Sequence, residues 1–482
     1  MKKTIKFLLC AAMCSAILLP LSACSKTKND ESVLNVICLS KGYGNGWIKT
    51  IAEKFEEEHP GYTVNLEGAI AEAPSLIKTH INSKNNIDDL YISVGNDWKT
   101  YAAQGKFASL DDLIEQEVDG VKIKDKVTTE YSESIYFPDK NGDVHTYRLP
   151  WTAGVGGIYY NKKMFETYGW EIPKTYDELI TLCNTIVDAN IEFSSGGTAK
   201  AVKPFVYTGQ NIDYFDYTVY TWWAQLSGED SIKEFMQYGS PDNYNANTNE
   251  TYGNLKKATE MWKNIFGNPK YVMDDGNGMS NHTAQTNFNN GCAAMMFNGD
   301  WVYNEILNYK IDNKDFELAI MPTPVASDAK ETSITYTIGE DQYIAIPESS
   351  IKKDLAKDFI KLMVSDYGCG VFLNEAHGLL AYKSSLTAND TTDAFMQNLL
   401  TVKTGYSKAF TNYPTVRGTS DIKNSTKMLY LSSLIDIWGT SALRPYGKLL
   451  GSNAKPVEDA FNDISGEISR SWQNWKIQAG IK

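Results

Sequence analysis

The sequence predicts an α/β fold built on a mostly parallel sheet. Apolar runs of strand length alternate with stretches of helical period, and the breaks between them are short and marked by Pro, Gly or Asn. The chain has 482 residues, 42% hydrophobic and 22% charged, enough for two or three domains that each bury a core. Its aromatic content is high, with 11 Trp, 29 Tyr and 18 Phe. Tyr and Trp combine an apolar face with a polar handle, which suits recognition of partly polar ligands.

Val33-Leu34-Asn35-Val36-Ile37-Cys38-Leu39 reads as a buried strand. Trp47, Ile48, Ile51, Ala52 and Phe55 then mark one face of a helix that stops at His59-Pro60-Gly61. Tyr62–Leu66 is a second strand, Leu76–Ile81 a helical stretch and Leu90–Val94 a third strand. This β-α-β-α-β order implies parallel strands with helices on the sheet faces. Ligands of such sheets sit off the carboxyl ends of the strands, here Lys41–Asn45 and Gly95-Asn96-Asp97-Trp98. Asn141-Gly142 between Phe137 and a Val144–Leu149 strand reads as a hairpin turn. Val457, Phe461, Ile464, Ile468, Trp472 and Trp475 form the packing stripe of a C-terminal helix.

The first residues read as an address. Lys2, Lys3 and Lys6 precede a short apolar stretch, Phe7–Leu21, too short for a membrane span, and Leu21-Ser22-Ala23-Cys24 closes it with small residues. That tetrapeptide resembles the lipobox of bacterial lipoproteins, which implies a signal peptide over 1–23, lipidation of Cys24 and a tether over 24–32. Removing 1–23 takes away three lysines and no acids, so the formal charge of −13 becomes −16. Nucleic acid and anionic membrane surfaces would repel such a body. The expectation is a monomer on the outer face of a bacterial cell membrane, held there through Cys24.

Cys38, Cys183, Cys292 and Cys369 lie far apart in apolar or small-residue settings and are expected to be free and buried, although an even number permits two disulfides. Neither a Cys-x-x-Cys nor a histidine cluster points to a metal, and no cofactor is implied. Asp139–Asp143 lacks the glycine of a calcium loop, and Asp274–Gly278 reads as an ordinary loop. Gly-x-Ser-x-Gly is absent, and the five histidines are dispersed, which disfavours triad chemistry. Paired carboxylates for a glycosidase are too numerous in an acidic chain to test from sequence.

Four stretches in order resemble the family 1 extracellular solute-binding proteins, the carbohydrate receptors that include maltose-binding protein. They are Phe55–Val64 (FEEEHPGYTV), Leu149–Leu179 with its Tyr-Asn-Lys, Phe288–Trp301 (FNNGCAAMMFNGDW) and Ile334–Met363. The resemblance implies a two-domain periplasmic-binding-protein-like fold, each domain an α/β sheet flanked by helices, with a hinge between. It implies an N-terminal domain from 33–149 plus 341–385 and a C-terminal domain from 152–338 plus 390–482. Gly154, Gly156, Gly157 and Gly339 fit backbone that bends at the crossings.

It also implies a cleft that closes on a carbohydrate ligand, an oligosaccharide by expectation, for delivery to the permease subunits of an ABC importer. The Ala293–Phe297 strand would end by delivering Trp301 to that cleft beside Asp300; the plainer reading makes Asp300 a helix cap. Asp97 matches a sugar-contacting aspartate of the maltose receptors, but Trp98 stands where they have Arg, and Asp97 could equally cap the following helix. Trp98 itself, Asn96, Tyr43, Trp151 at the first crossing, Glu340 and Asp341 at the second, and Trp438 complete the candidates with Trp222 and Trp223. Adjacent Trp222 and Trp223 cannot face the same way on a helix, so one of the two belongs to the core. Rival readings are a glycan-active enzyme, a receptor for a peptide or polyamine, and a scaffold without a closing cleft.

Overall fold

The computed structural model describes residues 30–481 apart from 96, 140–142, 196–197, 275, 312, 339–340, 412–426, 428–430, 432–434 and 436–441. Two sheets organise the chain. The first contains β1 (Val33–Leu39), β2 (Thr63–Ile70) and β3 (Leu90–Val94), connected through α1 (Gly46–Glu58) and α2 (Ala73–His80). Strands β2 and β3 each pair parallel to β1. Trp47, Ile48, Ile51, Ala52 and Phe55 are the buried face of α1, as the helical stripe requires. Helix α3 (Asp97–Ala103) follows β3.

The second sheet is built around β4 (Gly154–Asn161), with β5 (Lys203–Val206), the buried helix α4 (Asp216–Ser227), β6 (Ala293–Gly299), α5 (Trp301–Tyr309), β7 (Leu318–Met321) and β8 (Ile334–Ile338) following in the chain. The chain then returns to the first sheet as β9 (Gln342–Ala345) and comes back to the second through α6 (Ala394–Gly405) and β10 (Lys408–Phe410). The strand orders are β9-β3-β1-β2 and β5-β6-β4-β8-β10, with β7 also beside β4.

This second sheet is mixed. Strand β4 runs antiparallel to β6, β7 and β8, and β9 runs antiparallel to β3 in the first sheet. The reason is the entry point: β4 and β9 each start at the junction between the sheets, whereas β3, β6 and β8 run toward it. The pairing of β6 with β4 places Gly299 opposite Gly156, so β6 ends at that junction.

The hydrophobic core is divided in the same way. One cluster takes residues between Leu34 and Ala153 and between Tyr343 and Tyr382. Another runs from Ile158 to Tyr336 and from Phe410 to Ala479, and includes Trp472 and Trp475 of the C-terminal helix Val457–Gln478. The junction is stitched by hydrogen bonds. Thr152 donates from its amide (2.7 Å) and hydroxyl (2.5 Å) to Gln342 Oε1, and Arg148 Nη1 donates to the Gln342 carbonyl at 2.6 Å. Leu149 pairs with Ile344, Thr152 pairs with Leu380, and Tyr382 donates to the Pro150 carbonyl at 2.8 Å. A π-helical turn, Phe372–Ala376, ends in left-handed His377 just before this last crossing.

Strands Tyr136–Pro138 and Val144–Thr146 pair antiparallel, and the Asn141-Gly142 turn expected between them lies outside the described residues. All four described cysteines are free and buried. No helix among the described residues is long and apolar enough to cross a membrane.

Candidate functional site

The loop after β1 lies against the start of α5. Gly42 adopts a positive φ of 87°, and a Cβ on it would come within 3.3 Å of Trp301 Cβ, so the close approach needs glycine. Its carbonyl accepts from Asn304 Nδ2 at 2.8 Å. The next residue, Tyr43, is buried with its ring on Trp151 (5.9 Å between centroids) and Phe372 (5.0 Å), and its hydroxyl donates to Asp300 Oδ1 at 2.9 Å. This bond joins a residue of the first core to the strand end of the second sheet.

Asp300 is fully buried and makes no capping bond to α5, so the plainer reading of it as a cap does not hold. Its Oδ2 has no hydrogen-bond partner among the described residues. Burial pushes the carboxyl up to about 7, opposed by the Tyr43 hydrogen bond and the positive charge of Lys403.

Trp301 is half-buried and packs on both cores. Its ring covers Gly299 and approaches Gly154, with Tyr214 and Tyr217 each at 5.7 Å. Tyr217 occupies the space that Gly156 leaves: a Cβ there would lie 1.8 Å from its Cδ1. Gly154 and Gly156 therefore serve close packing. Tyr336 on β8 stands 6.3 Å from the Tyr217 ring, and the Tyr217 hydroxyl has no hydrogen-bond partner among the described residues.

Beside this aromatic group a cavity of about 330 Å³ opens between the two parts of the molecule. Thr128, Thr129 and Glu130 line it from one side, and Thr337, Lys403 and Tyr406 are among those lining it from the other. Burial lowers the Lys403 amine, while Glu130 and Asp300 favour its charged form. Thr335 and Thr337 keep hydroxyls without hydrogen-bond partners among the described residues. Ring faces, unspent hydroxyls, carboxylates and the amines of Lys383, Lys403 and Lys408 suit a ligand rich in hydroxyl groups. No cluster of His, Cys, Asp and Glu that could hold a metal occurs among the described residues.

The remaining candidates separate. Trp222 and Trp223 are both fully buried, their Nε1 atoms donating at 2.8 Å to the Pro324 and Thr251 carbonyls. The expectation that one of them faces the cleft is corrected: α4 is covered on all sides, so opposite faces both lie in core. Trp98 is also core, the inner face of α3, with the Arg148 guanidinium 4.6 Å over its ring and Phe137 at 5.2 Å. Trp151 lies beneath the surface with Trp47, under Tyr43. Asp97 points to solvent with its side chain 62% exposed, 3.8 Å from Lys78. Asp341 is half-buried, its carbonyl accepting from the Gly95 amide at 2.8 Å. Asn96, Glu340, Trp438 and Cys24 lie outside the described residues.

Tyr214, Tyr217, Tyr336, Glu130 and Lys403 were not singled out from sequence. Tyr214 and Tyr217 stand in the aromatic run Asp213–Trp223 that also holds the paired tryptophans; Glu130 and Lys403 sit in no motif.

Two α/β halves, crossed by several strands and facing each other over an aromatic and polar seam, define a two-lobed binding protein. The chain belongs to the bacterial extracellular solute-binding protein family, whose model matches residues 41–367. It is 24% identical over 359 residues to the multiple sugar-binding protein of Streptococcus mutans, covering 72% of this chain and 75% of that one. To the diacetylchitobiose binding protein DasA of Streptomyces coelicolor it is 26% identical, covering 64% and 63%. Its fold is similar to RafE in complex with raffinose (TM-score 0.60, 16% identity, 90% of this chain and 98% of that one). It is likewise similar to apo RafE from Streptococcus pneumoniae (TM-score 0.61, 16% identity, 90% and 96%).

Proposed function

We propose that this chain is a lipid-anchored extracellular receptor that captures an oligosaccharide between its two domains and passes it to the permease subunits of an ABC importer. The observation that carries the reading is Trp301, half-buried at the seam, packed on both cores and flanked by Tyr214 and Tyr217. Such a ring offers its face to sugar C–H groups, and a ligand reaching both domains favours the closed state by its greater affinity for it. The names of the curated relatives, multiple sugar-binding protein and diacetylchitobiose binding protein, support the ligand class. The division of the cores supports domains from 33–149 plus 341–385 and from 152–338 plus 390–482. Asp97, which follows β3, and Asp341, whose carbonyl bonds the Gly95 amide at the end of β3, stand as further ligand candidates from the first domain. The protein carries out no catalysis, acts as a monomer and is held at the membrane through Cys24.

The test is the melting temperature of the chain lacking residues 1–24 against raffinose, diacetylchitobiose and xylo-oligosaccharides. A ligand at ~100 times its Kd adds about 2.7 kcal/mol, a shift of several degrees. One sugar raising the melt and recovered uncut supports the receptor. Flat melts across the panel remove the carbohydrate reading, and a shortened sugar makes the protein an enzyme. For the anchor, Cys24→Ala should release the full chain into the medium.

A further inference from the structure

The bond between Tyr43 and Asp300 places a buried carboxyl group on the surface where the two halves meet. Asp300 Oδ1 receives a hydrogen bond from Tyr43, and the backbone amides of Val155 and of Asp300 itself also favour the charged acid, but among the described residues Oδ2 has no hydrogen-bond partner. Tyr43 belongs to the loop after β1 and Asp300 to the end of β6, so parting the domains takes the tyrosine away and gives the carboxyl back to water. A carboxylate loses its hydration when such a seam closes, and these few donors do not replace it, as its raised proton affinity shows.

We infer that Tyr43 and Asp300 form a proton-linked clasp, in which closing the two domains is accompanied by proton uptake at the Asp300 carboxyl. This rests on the two-domain closure proposed above, and it gives the pair a task other than touching ligand: Asp300 is a positioning residue for the closed state.

The neighbours are consistent with that role. From β4, Tyr159 faces the carboxyl, its hydroxyl donating to the Val155 carbonyl at 2.6 Å. From the turn Thr129–Tyr131 comes Tyr131. Burial pushes both phenols, and that of Tyr43, far up, so all three stay neutral. From α6, Lys403 favours the ionised acid, but Glu130 across the cavity shares its charge. His377 precedes the glycine on which the Tyr43 ring rests and is held low by its own burial. In the closed form the Asp300 carboxyl is pushed from its ordinary 3.8 up to about 7.

The sign follows. A group whose proton affinity is higher in the closed state favours closure at low pH, and that advantage disappears as pH rises through the closed-state value. The closed-to-open ratio should therefore fall by roughly tenfold or more between pH 5 and pH 7.5.

The experiment needs no sugar. Glu57→Cys and Glu166→Cys place dyes on exposed sites of the two halves, and the native cysteines, being buried, stay unlabelled. Energy transfer in the chain lacking residues 1–24 then reports closure against pH. The clasp predicts more closed molecules at pH 5 than at pH 7.5, and a D300N variant that closes to the same extent at both. Y43F, which keeps the acid and removes its donor, should move the transition to higher pH. A ratio that does not change with pH in the folded protein, or a D300N profile equal to that of the parent, overturns the inference. A chain that closes on acidification yet responds to no sugar would defeat the carbohydrate reading and leave the clasp standing.

Discussion

Tyr217 has room for its ring only because residue 156 has no side chain. Gly156→Ala would place a Cβ 1.8 Å from Tyr217 Cδ1, and neither β4 nor the wholly buried α4 can move away freely. The substitution should cost about 1–3 kcal/mol of stability, read as a lower urea midpoint. It should also weaken sugar binding, because the displaced ring is the one that flanks Trp301. Trp301→Ala is the complementary test. The ring is half-buried, and if it is the main apolar contact for ligand, its loss should remove about 2 kcal/mol of binding, roughly thirtyfold. Titration calorimetry with the sugar that raises the melt measures it. Unchanged affinity would mean that Trp301 only packs the seam.

At the scale of the element, α4 is the support on which that seam rests. Every residue from Asp216 to Ser227 is buried, and the helix opens with a buried acid. Arg444 Nε donates to Asp216 Oδ2 at 2.5 Å and Tyr446 to Oδ1 at 2.9 Å. Burial raises the Asp216 carboxyl to about 6, opposed by Arg444 and Tyr446. Arg444→Met should therefore destabilise the protein by ~3 kcal/mol at pH 7.5, because it strands a buried carboxylate; partial exposure of the arginine keeps the loss at the lower end of the range. An acid whose folded-state value is raised destabilises the fold as pH rises from the unfolded value upward, and removing its arginine steepens that trend. The defect should thus be smallest near pH 4, and Asp216→Asn in the same chain should recover much of it. Equal defects at pH 4 and 7.5 would show that the arginine acts through packing alone.

The elements with one buried face were legible in the sequence: α1 from its Trp47–Phe55 stripe, the C-terminal helix from its stripe, and β6 from an apolar run halted by Asn-Gly-Asp. Helix α4 was expected from the resemblance, but its facing was not legible, because a helix buried on every side has no stripe, and choosing between Trp222 and Trp223 assumed one that does not exist. Trp98 was misread for a related reason: a tryptophan beside a candidate aspartate looks like a ligand contact until Arg148, fifty positions on, is seen lying over it. Tyr43 and Asp300 were each marked, but a hydrogen bond between residues 257 positions apart is a property of the fold and not of either segment.

For the whole molecule, the cysteines offer a way to see whether the two cores behave as one. Cys38 and Cys369 belong to the first core and Cys183 to the second, all buried and unpaired. Burial pushes every one of these thiols up, Cys369 to about 12, and raises Cys292 beside β6 to about 11. A buried thiol reacts only when its surroundings open, so the rate of alkylation at each site reports the opening of the core that holds it. In the chain lacking residues 1–24, the native protein should give no rapid thiol reaction, and reductant should leave the melt unchanged. Without ligand, mass spectrometry should find Cys38 and Cys369 labelled at one rate and Cys183 at another, since they lie in separate core clusters. A sugar that touches both domains stabilises both at once. At ~100 times its Kd it should slow labelling of all three cysteines by about a hundredfold. Slowing confined to Cys38 and Cys369, or to Cys183, would mean that a single domain holds the ligand and that the cleft does not close on it.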